Sequence, residues 1–338
     1  MSLRNAWYIA CTSSALKRRP RAVTLFSAPL VLWRDASGVA HAFEDRCPHR
    51  SAPLSQGFVK DSCLVCPYHG WSFGDDGKCT HIPALGTDGA IPASARTRTY
   101  PVMEQQGYVW VWPGEAEPTV QPFQFPHLDE SGWLTFRMST LFEPSVEACL
   151  ENFLDCPHTA TVHRGWFRNP DTREVEATVR RHADGVDVTF ADEPVTNSLV
   201  SRLLYPKGLP LRHTDRFIMP NISRVDYEFG PQHHYIITSH TVPITDSQTQ
   251  VFTVITFRHG RISWLMRLMF EPMSRRIIQQ DVDILKKHGD NVRRLGSERQ
   301  THLETDLVGS HMQLLRRRAE RGDSTPLEES CKTVRIRF

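Results

Sequence analysis

The chain has 338 residues, with 40 basic and 38 acidic side chains and a formal net charge of +2. That length fits about two ordinary domains, and so even a balance gives no electrostatic case for nucleic acid as the main partner. Eight cysteines are too few for a disulfide scaffold, no apolar run reaches the 18 or more residues of a membrane span, and the first residues lack a secretory core, so a cytoplasmic protein is expected.

In chain order, the first elements read as short strands. Val23 to Phe26, Leu30 to Trp33 and Val39 to Phe43 are apolar and β-branched or aromatic, with a turn at Asp35-Ala-Ser-Gly38. Tyr108-Val-Trp-Val-Trp112 supplies another strand. A small β-domain is expected, interrupted by two loops.

Those loops read Cys47-Pro-His49-Arg and Cys66-Pro-Tyr-His69-Gly-Trp71, with sixteen residues from Arg50 to Val65 between them. Each offers one thiolate and one imidazole. Four such ligands suit a [2Fe–2S] cluster in which two imidazoles replace two thiolates on one iron, which raises the potential to roughly −150 to +300 mV. A tetrahedral zinc knuckle is the alternative, but zinc loops usually begin with two to four residues between the first two ligands, and only Pro48 separates Cys47 from His49. Cys63, which forms C-x-x-C with Cys66, reads as an ordinary half-buried thiol.

From Pro113 to Pro126 the composition turns proline-rich, which neither a helix nor a central strand tolerates. Domains are therefore expected at 1–115 and 131–338, joined by a linker at 116–130. Beyond it come a strand near Trp133 to Phe142, a helix from about Ser145, alternating stretches at Glu174–Phe190, Arg216–Phe229 and Tyr235–Phe257, and helices near Trp264–Arg294 and Thr301–Arg321. The tail, Thr333 to Phe338, alternates again. The fold class is α+β: an all-β domain, then an antiparallel sheet with helices. Lys17-Arg-Arg-Pro-Arg21 and Arg316-Arg-Arg318 could dock an acidic redox partner, although most such runs are solvated faces.

The second chemical motif is Asn152-x2-Asp155-x2-His158-x4-His163. Asn152, Asp155 and His158 would share one helix face, while His163 at i+5 needs the helix to break, for which Pro157 is a cause. Fe(II) that activates O2 prefers two His and one carboxylate on one face.

Cys47-x-His49-x16-Cys66-x2-His69 resembles the Rieske motif, and with Asn152-x2-Asp155-x2-His158-x4-His163 about 90 residues later the chain resembles the Rieske non-heme iron oxygenases over essentially its whole length. Asn5-Ala-Trp7-Tyr8 is similar to the opening of the vanillate and dicamba O-demethylase type. The resemblance implies a Rieske [2Fe–2S] domain, then a mononuclear iron domain with His158, His163 and a later carboxylate as ligands. Asp281 in Gln279-Gln280-Asp281-Val-Asp283 is the best counterpart and Asp283 the alternative; many members have Glu where Gln280 stands. An exposed acidic pair facing Lys286 or Lys287 is the structural reading of the same segment. The resemblance further implies that Asn152 supports the site, and that Asp155 joins His158 to a cluster histidine of a neighbouring subunit in a homotrimer.

The implied activity is a monooxygenase that uses O2, with electrons from NAD(P)H passed through a separate reductase or ferredoxin, to hydroxylate or demethylate a small organic molecule. No nicotinamide or flavin motif is present. A Rieske electron carrier without oxygenase activity is the alternative. Trp166, Phe167, Asn221 and Gln250 are candidate substrate contacts, each of which could equally be core, turn or surface.

Overall fold

The computed structural model describes residues 3–86, 89–166, 174–191, 193, 211–230, 232–260 and 263–337. Contacts divide the chain into two compact units, Arg4–Gln124 and Phe125–Phe338, the second also taking the first three residues.

The first unit is all β, in three small antiparallel sheets. Tyr8–Thr12, Val102–Gln105 and Tyr108–Val111 form one; Arg21–Leu25, Ala28–Arg34, Ala40–Glu44 and Thr99–Tyr100 form the second. Phe58–Lys60, Cys63–Val65, Ser72–Phe73 and Cys79–His81 form the third. Tight turns give these short strands their register. At the expected turn, Asp35 Oδ1 accepts from Val39 N at 3.0 Å and Gly38 has φ of 90°, a conformation that costs glycine little. Trp33, Phe43, Leu54, Leu64 and Phe73 close a core that also includes Cys47 and Cys66. The proline-rich stretch is pinned to this unit as far as Phe123. Trp112 Nε1 donates to Ala116 O at 2.6 Å, Trp7 Nε1 to Val120 O at 2.7 Å, and Gln105 Nε2 to Phe123 O at 3.1 Å.

The second unit is built on one eight-stranded antiparallel sheet. Its strands in chain order are β1 (Leu134–Phe142), β2 (Val175–Arg181), β3 (Gly185–Ala191), β4 (Leu211–Ile218), β5 (Ile222–Phe229), β6 (His233–Thr245), β7 (Gln248–His259) and β8 (Ser330–Ile336). They lie in the order β1-β7-β6-β5-β4-β3-β2-β8, so the tail strand pairs with the far edge. Among the described residues three helices accompany the sheet: α1 (Val146–Leu154), α2 (Ser263–Leu295) and α3 (Gly309–Glu320). The fold is thus α+β with the antiparallel sheet expected.

Register decides which side chains form the site. Successive strand residues face opposite sides, and the pairing aligns Ser223, Ser239, Thr253 and Met138 as one rung across β5, β6, β7 and β1. The next rung on that face is Val225, Ile237, Ile255 and Phe136, and the third carries Tyr227, Tyr235, Phe257 and Leu134. α2 packs over this face. Phe136, Ile255, Phe257, Phe270, Met273 and Ile277 share one buried cluster. A second cluster joins α1 and α3 to the other end of the sheet through Leu150, Leu154, Met312, Leu315, Val188 and Phe217.

α1 begins at Ser145, whose hydroxyl accepts from Ala148 N at 3.3 Å, an N-cap that satisfies an otherwise open donor. It stops at Asp155, which is extended, and a 3-10 turn follows over Cys156–Ala160 with Pro157 in its first turn. The break expected at Pro157 is therefore present.

Two expectations are revised. The last helix begins at Gly309 rather than near Thr301. Asp306 Oδ2 accepts from Leu303 N at 2.7 Å, and Asp306 N donates to Leu303 O at 3.1 Å, so this aspartate binds its local backbone in a turn instead of extending a helix. Nor does Arg316 belong to a solvated or docking face. It is buried, bonding Pro220 O and, at 3.4 Å, Glu147 Oε1.

Candidate metal centres

In the first unit the two ligand loops share one hydrogen-bond pattern. Cys47 N donates to Ala52 O and Ser51 N to Cys47 O, both at 2.9 Å; Cys66 N donates to Trp71 O at 2.8 Å and Gly70 N to Cys66 O at 3.2 Å. Both turns close through positive φ, 55° at Ser51 and 70° at Gly70. At Gly70 a Cβ would also meet the Pro83 ring at 3.0 Å.

These turns bury both thiols side by side, with the amides of His49 and Arg50 donating to the Cys47 sulfur. Burial pushes the Cys47 thiol up to about 11, and neighbouring Cys66 adds to the rise. The Cys47 thiol stays protonated without a cation, whereas a metal that coordinates it takes the proton off. The imidazoles lie together on the outer side. His49 and His69 have centroids 4.6 Å apart, and His49 stacks on Trp71 at 4.6 Å. His49 Nδ1 is buried without a hydrogen-bond partner, which a ligand bond would supply. Two buried thiols, an orphaned imidazole nitrogen and an adjacent exposed imidazole fit a [2Fe–2S] group held by Cys47, His49, Cys66 and His69. Cys63 stands aside, half-buried, with its sulfur 3.6 Å from Thr80 Oγ1.

In the second unit the extended residue at Asp155 and the turn after it point His158 and His163 at one spot beneath α2. His158 Nε2 and His163 Nε2 lie 3.3 Å apart, and Asp281 Oδ1 is 3.6 Å from the first and 3.1 Å from the second. The opposite nitrogens are already engaged. His158 Nδ1 faces Asp155 O, and His163 Nδ1 is 2.9 Å from Gln280 Oε1. In neutral rings both Nδ1 atoms therefore donate outward, so the two Nε2 lone pairs face each other and cannot bond each other. A cation between them and the carboxylate resolves that conflict, and two His with one carboxylate is the donor set that ferrous iron favours. Asn152 Nδ2 donates to Asp281 Oδ1 at 3.0 Å and fixes the carboxylate. Burial would raise the Asp281 carboxyl, but bonds to His158, His163 and Asn152 outweigh it and hold it at about 2.

Asp283, two residues on, is exposed and takes a 2.9 Å bond from Gln279 Nε2. Lys286, the partner offered by the alternative reading, bonds Glu143 instead. The side chain of Asp155 is 44% exposed, its Oδ2 4.0 Å from His158 Nδ1.

The four residues put forward as substrate contacts are placed differently. Trp166 is half-buried and packs against the cluster beneath α2, and its amide donates to His163 O at 2.9 Å. Phe167 lies outside the described residues. Asn221 is fully buried and donates to Thr241 O at 2.5 Å, and Gln250 Nε2 donates to Ser139 Oγ at 3.1 Å. Neither lines the cavity that adjoins the three clustered ligands. That cavity, about 120 Å³, runs between α2 and the three rungs of the sheet. Sequence reading did not single out its hydroxyl rung, since strand alternation identifies a face but not what covers it.

A second cluster of the same residue types lies nearby, and its bonding is different. His213 Nδ1 is 2.6 Å from Glu193 Oε2, its Nε2 is 2.9 Å from Asp215 Oδ1, and Cys156 Sγ donates to Asp215 Oδ2 at 3.0 Å. Donors and acceptors alternate here, so a charged imidazole between two carboxylates satisfies every contact without an ion. The ring is stacked between Phe190 and Tyr227, each with its centroid at 4.4 Å. Burial would lower the His213 pKa, but Asp215 and Glu193 outweigh it and raise it to about 9. A folded-state pKa above the unfolded value near 6.5 means the stabilisation is fully present below about pH 6.5 and fades as pH rises toward 9. Unfolding free energy, measured by denaturant titration, is expected to fall by about 3 kcal/mol across that window. His213→Gln should be less stable at pH 6 and should remove most of that slope; an unaltered slope would show that other groups set it.

Comparison with known proteins finds a match for each unit. Residues 6–101 match the model of the Rieske [2Fe-2S] domain, and residues 142–321, more than half of the chain, match the vanillate O-demethylase oxygenase C-terminal domain. The chain belongs to this family of Rieske oxygenase components. It is 37% identical over 165 residues to the oxygenase component of dicamba O-demethylase from Stenotrophomonas maltophilia, covering 48% of each chain. It is 36% identical over 210 residues to 4beta-methylsterol monooxygenase from Methylococcus capsulatus, covering 60% of this chain and 56% of that one. The alignments thus span about half the length of these curated relatives. Crystalline dicamba monooxygenase bound to dicamba shares the fold, with a TM-score of 0.81 at 24% identity over 96% of this chain and 99% of that one. Among the described residues no helix is long and apolar enough to cross a membrane.

Proposed function

We propose that this chain is the oxygenase component of a Rieske non-heme iron monooxygenase, which hydroxylates or oxidatively demethylates a small organic substrate. The observation that carries the reading is the cluster of His158 Nε2, His163 Nε2 and Asp281 Oδ1, each within 3.6 Å of the others. An electron carrier needs only the first unit and would leave this buried donor set without a role.

Cys47, His49, Cys66 and His69 would hold the [2Fe–2S] cluster, and His158, His163 and Asp281 would hold Fe(II). When bound, the iron supplies activation of O2 and the cluster supplies the electrons. The protein's own contribution is orientation. Asp155 O and Gln280 fix the tautomers of the two histidines, which raises their basicity as ligands, and Asn152 holds the carboxylate on the same side. The sheet and α2 keep the adjoining cavity mostly apolar, so a substrate there displaces water from beside the reacting centre. Electrons would come from NAD(P)H through a separate reductase or ferredoxin. The partly exposed Asp155 side chain would meet His69 of a neighbouring copy in a homotrimer, passing electrons between subunits.

Electron paramagnetic resonance on the reduced, anaerobic protein tests the reading. A cluster signal plus a high-spin signal that appears only with nitric oxide is expected, and His158→Ala should remove the second alone. A cluster signal with no high-spin signal after iron reconstitution would overturn the oxygenase reading and leave an electron carrier.

A further inference from the structure

We propose that the cavity beside His158, His163 and Asp281 selects a neutral, single-ring substrate, and that Ser223 orients it through a hydrogen bond. The inference rests on the oxygenase reading and names the substrate class of that site.

Charge comes first. Among the described residues, no arginine or lysine lines the cavity, and apart from the phenols of Tyr227 and Tyr235 the lining groups that can carry charge are the three proposed ligands themselves. The nearest cation along β5, Arg224, is one residue out of phase and so faces the other side of the sheet. There it is spent on Asp226, with Nε and Nη2 each 2.7 Å from a carboxylate oxygen. A substrate carboxylate turned toward the proposed iron would compete with O2 for it, and one held over the sheet rungs would lose its water with no arginine or lysine to replace it. Such a transfer costs several kcal/mol. A neutral ring avoids that cost.

Size comes next. A volume of about 120 Å³ is slightly smaller than the roughly 150 Å³ apolar cavity that admits benzene, so it limits the occupant to one ring, whose substituents must extend through the open side of the cavity. The middle rung, Val225, Ile237 and Ile255, offers such a ring an apolar floor.

Orientation comes from the hydroxyl rung. Ser239 Oγ and Thr253 Oγ1 are 3.0 Å apart and satisfy each other. Tyr235 and Ser274 pair at 3.5 Å. Ser223, at the end of the hydroxyl rung, is only 3% exposed, lines the cavity, and its hydroxyl has no partner among the described residues. A buried hydroxyl is normally bonded, so Ser223 Oγ is the group left over for a ligand. It can accept from a hydroxyl or amine or donate to a carbonyl or phenol oxygen, whereas an aryl ether oxygen, its lone pair delocalised into the ring, is a poor acceptor.

Three methoxylated probes test the proposal: methoxybenzene, 2-methoxyphenol and 4-methoxybenzoate. Binding is read from the change each produces in the nitric oxide signal of the ferrous protein, and turnover from formaldehyde released with a surrogate reductase. The neutral pair is expected to bind at least about tenfold more tightly than the benzoate. Ser223→Ala should weaken 2-methoxyphenol about five- to tenfold, the worth of one hydrogen bond. Methoxybenzene, which lacks the phenol group, should lose less than about twofold, which also reports that the cavity has kept its shape. Equal or tighter binding of the benzoate would overturn the neutral class, as would an intact nitric oxide signal that no neutral probe perturbs. An equal loss for both neutral probes would overturn the role of Ser223. Absence of the nitric oxide signal itself would instead remove the oxygenase reading on which the proposal stands.

Discussion

Asp281→Asn is expected to abolish substrate-dependent oxygen consumption while leaving the cluster's visible spectrum unchanged. The carboxylate is 5% exposed and lies within 3.6 Å of both histidine nitrogens, so among the described residues it is the one carboxylate grouped with them that can offset a divalent cation there. An amide keeps the shape and the contact with Asn152 but removes the charge. The loss of retained iron should exceed the roughly 10–100-fold that removal of a supporting hydrogen bond to a ligand costs. Asp283→Asn is the matched control. Asp283 is exposed and bonded only along its own helix, so its substitution should change stability by less than about 0.5 kcal/mol and leave iron content unaltered. Iron analysis of the two variants side by side decides between the two aspartates; loss of iron from the Asp283 variant alone would reverse the assignment.

Asp155→Asn should have the second-largest effect, by a different route. The backbone oxygen of Asp155, not its carboxylate, holds His158 Nδ1, and the carboxylate is the part that reaches solvent. The substitution therefore leaves the imidazole anchored and removes only the outward charge. Both metals should be retained, and oxidation of the pre-reduced cluster by O2 in the presence of substrate should slow by about 10–100-fold, the usual worth of a carboxylate bound to a ligand imidazole. Rapid-mixing absorbance measures this directly. An unchanged rate would remove Asp155 from the path between subunits.

The cluster loops were the most legible part of the chain, because ligand spacing within a loop is local and Pro48 and Pro67 restrict the loop shapes. The break after α1 was legible for the same reason, through Pro157. Gln280 shows the limit. In sequence it is a departure from the acidic residue common at that place, and only the fold shows an amide oxygen that serves His163 as a carboxylate would. Ser223 and the Cys156, His213, Asp215 and Glu193 network were not legible at all. Apart from the His213–Asp215 pair, what these residues face lies on other strands or some 20 to 60 positions away, and register sets such neighbours without leaving a motif. Asn221 carried a polar signal of the right kind, yet it is spent on the backbone at Thr241.

α2 presents Ser274, Ile277, Ile278 and Asp281 to the same cavity, at intervals of three and four residues. Reshaping the roof by substituting its isoleucines would shift or turn the helix that carries the anionic ligand, so appetite for new compounds would be gained at the expense of metal loading. The three sheet rungs carry none of the three proposed ligands. Directed evolution toward new compounds should therefore accumulate productive changes on β5, β6 and β7, and changes in α2 only after compensating mutations have braced it.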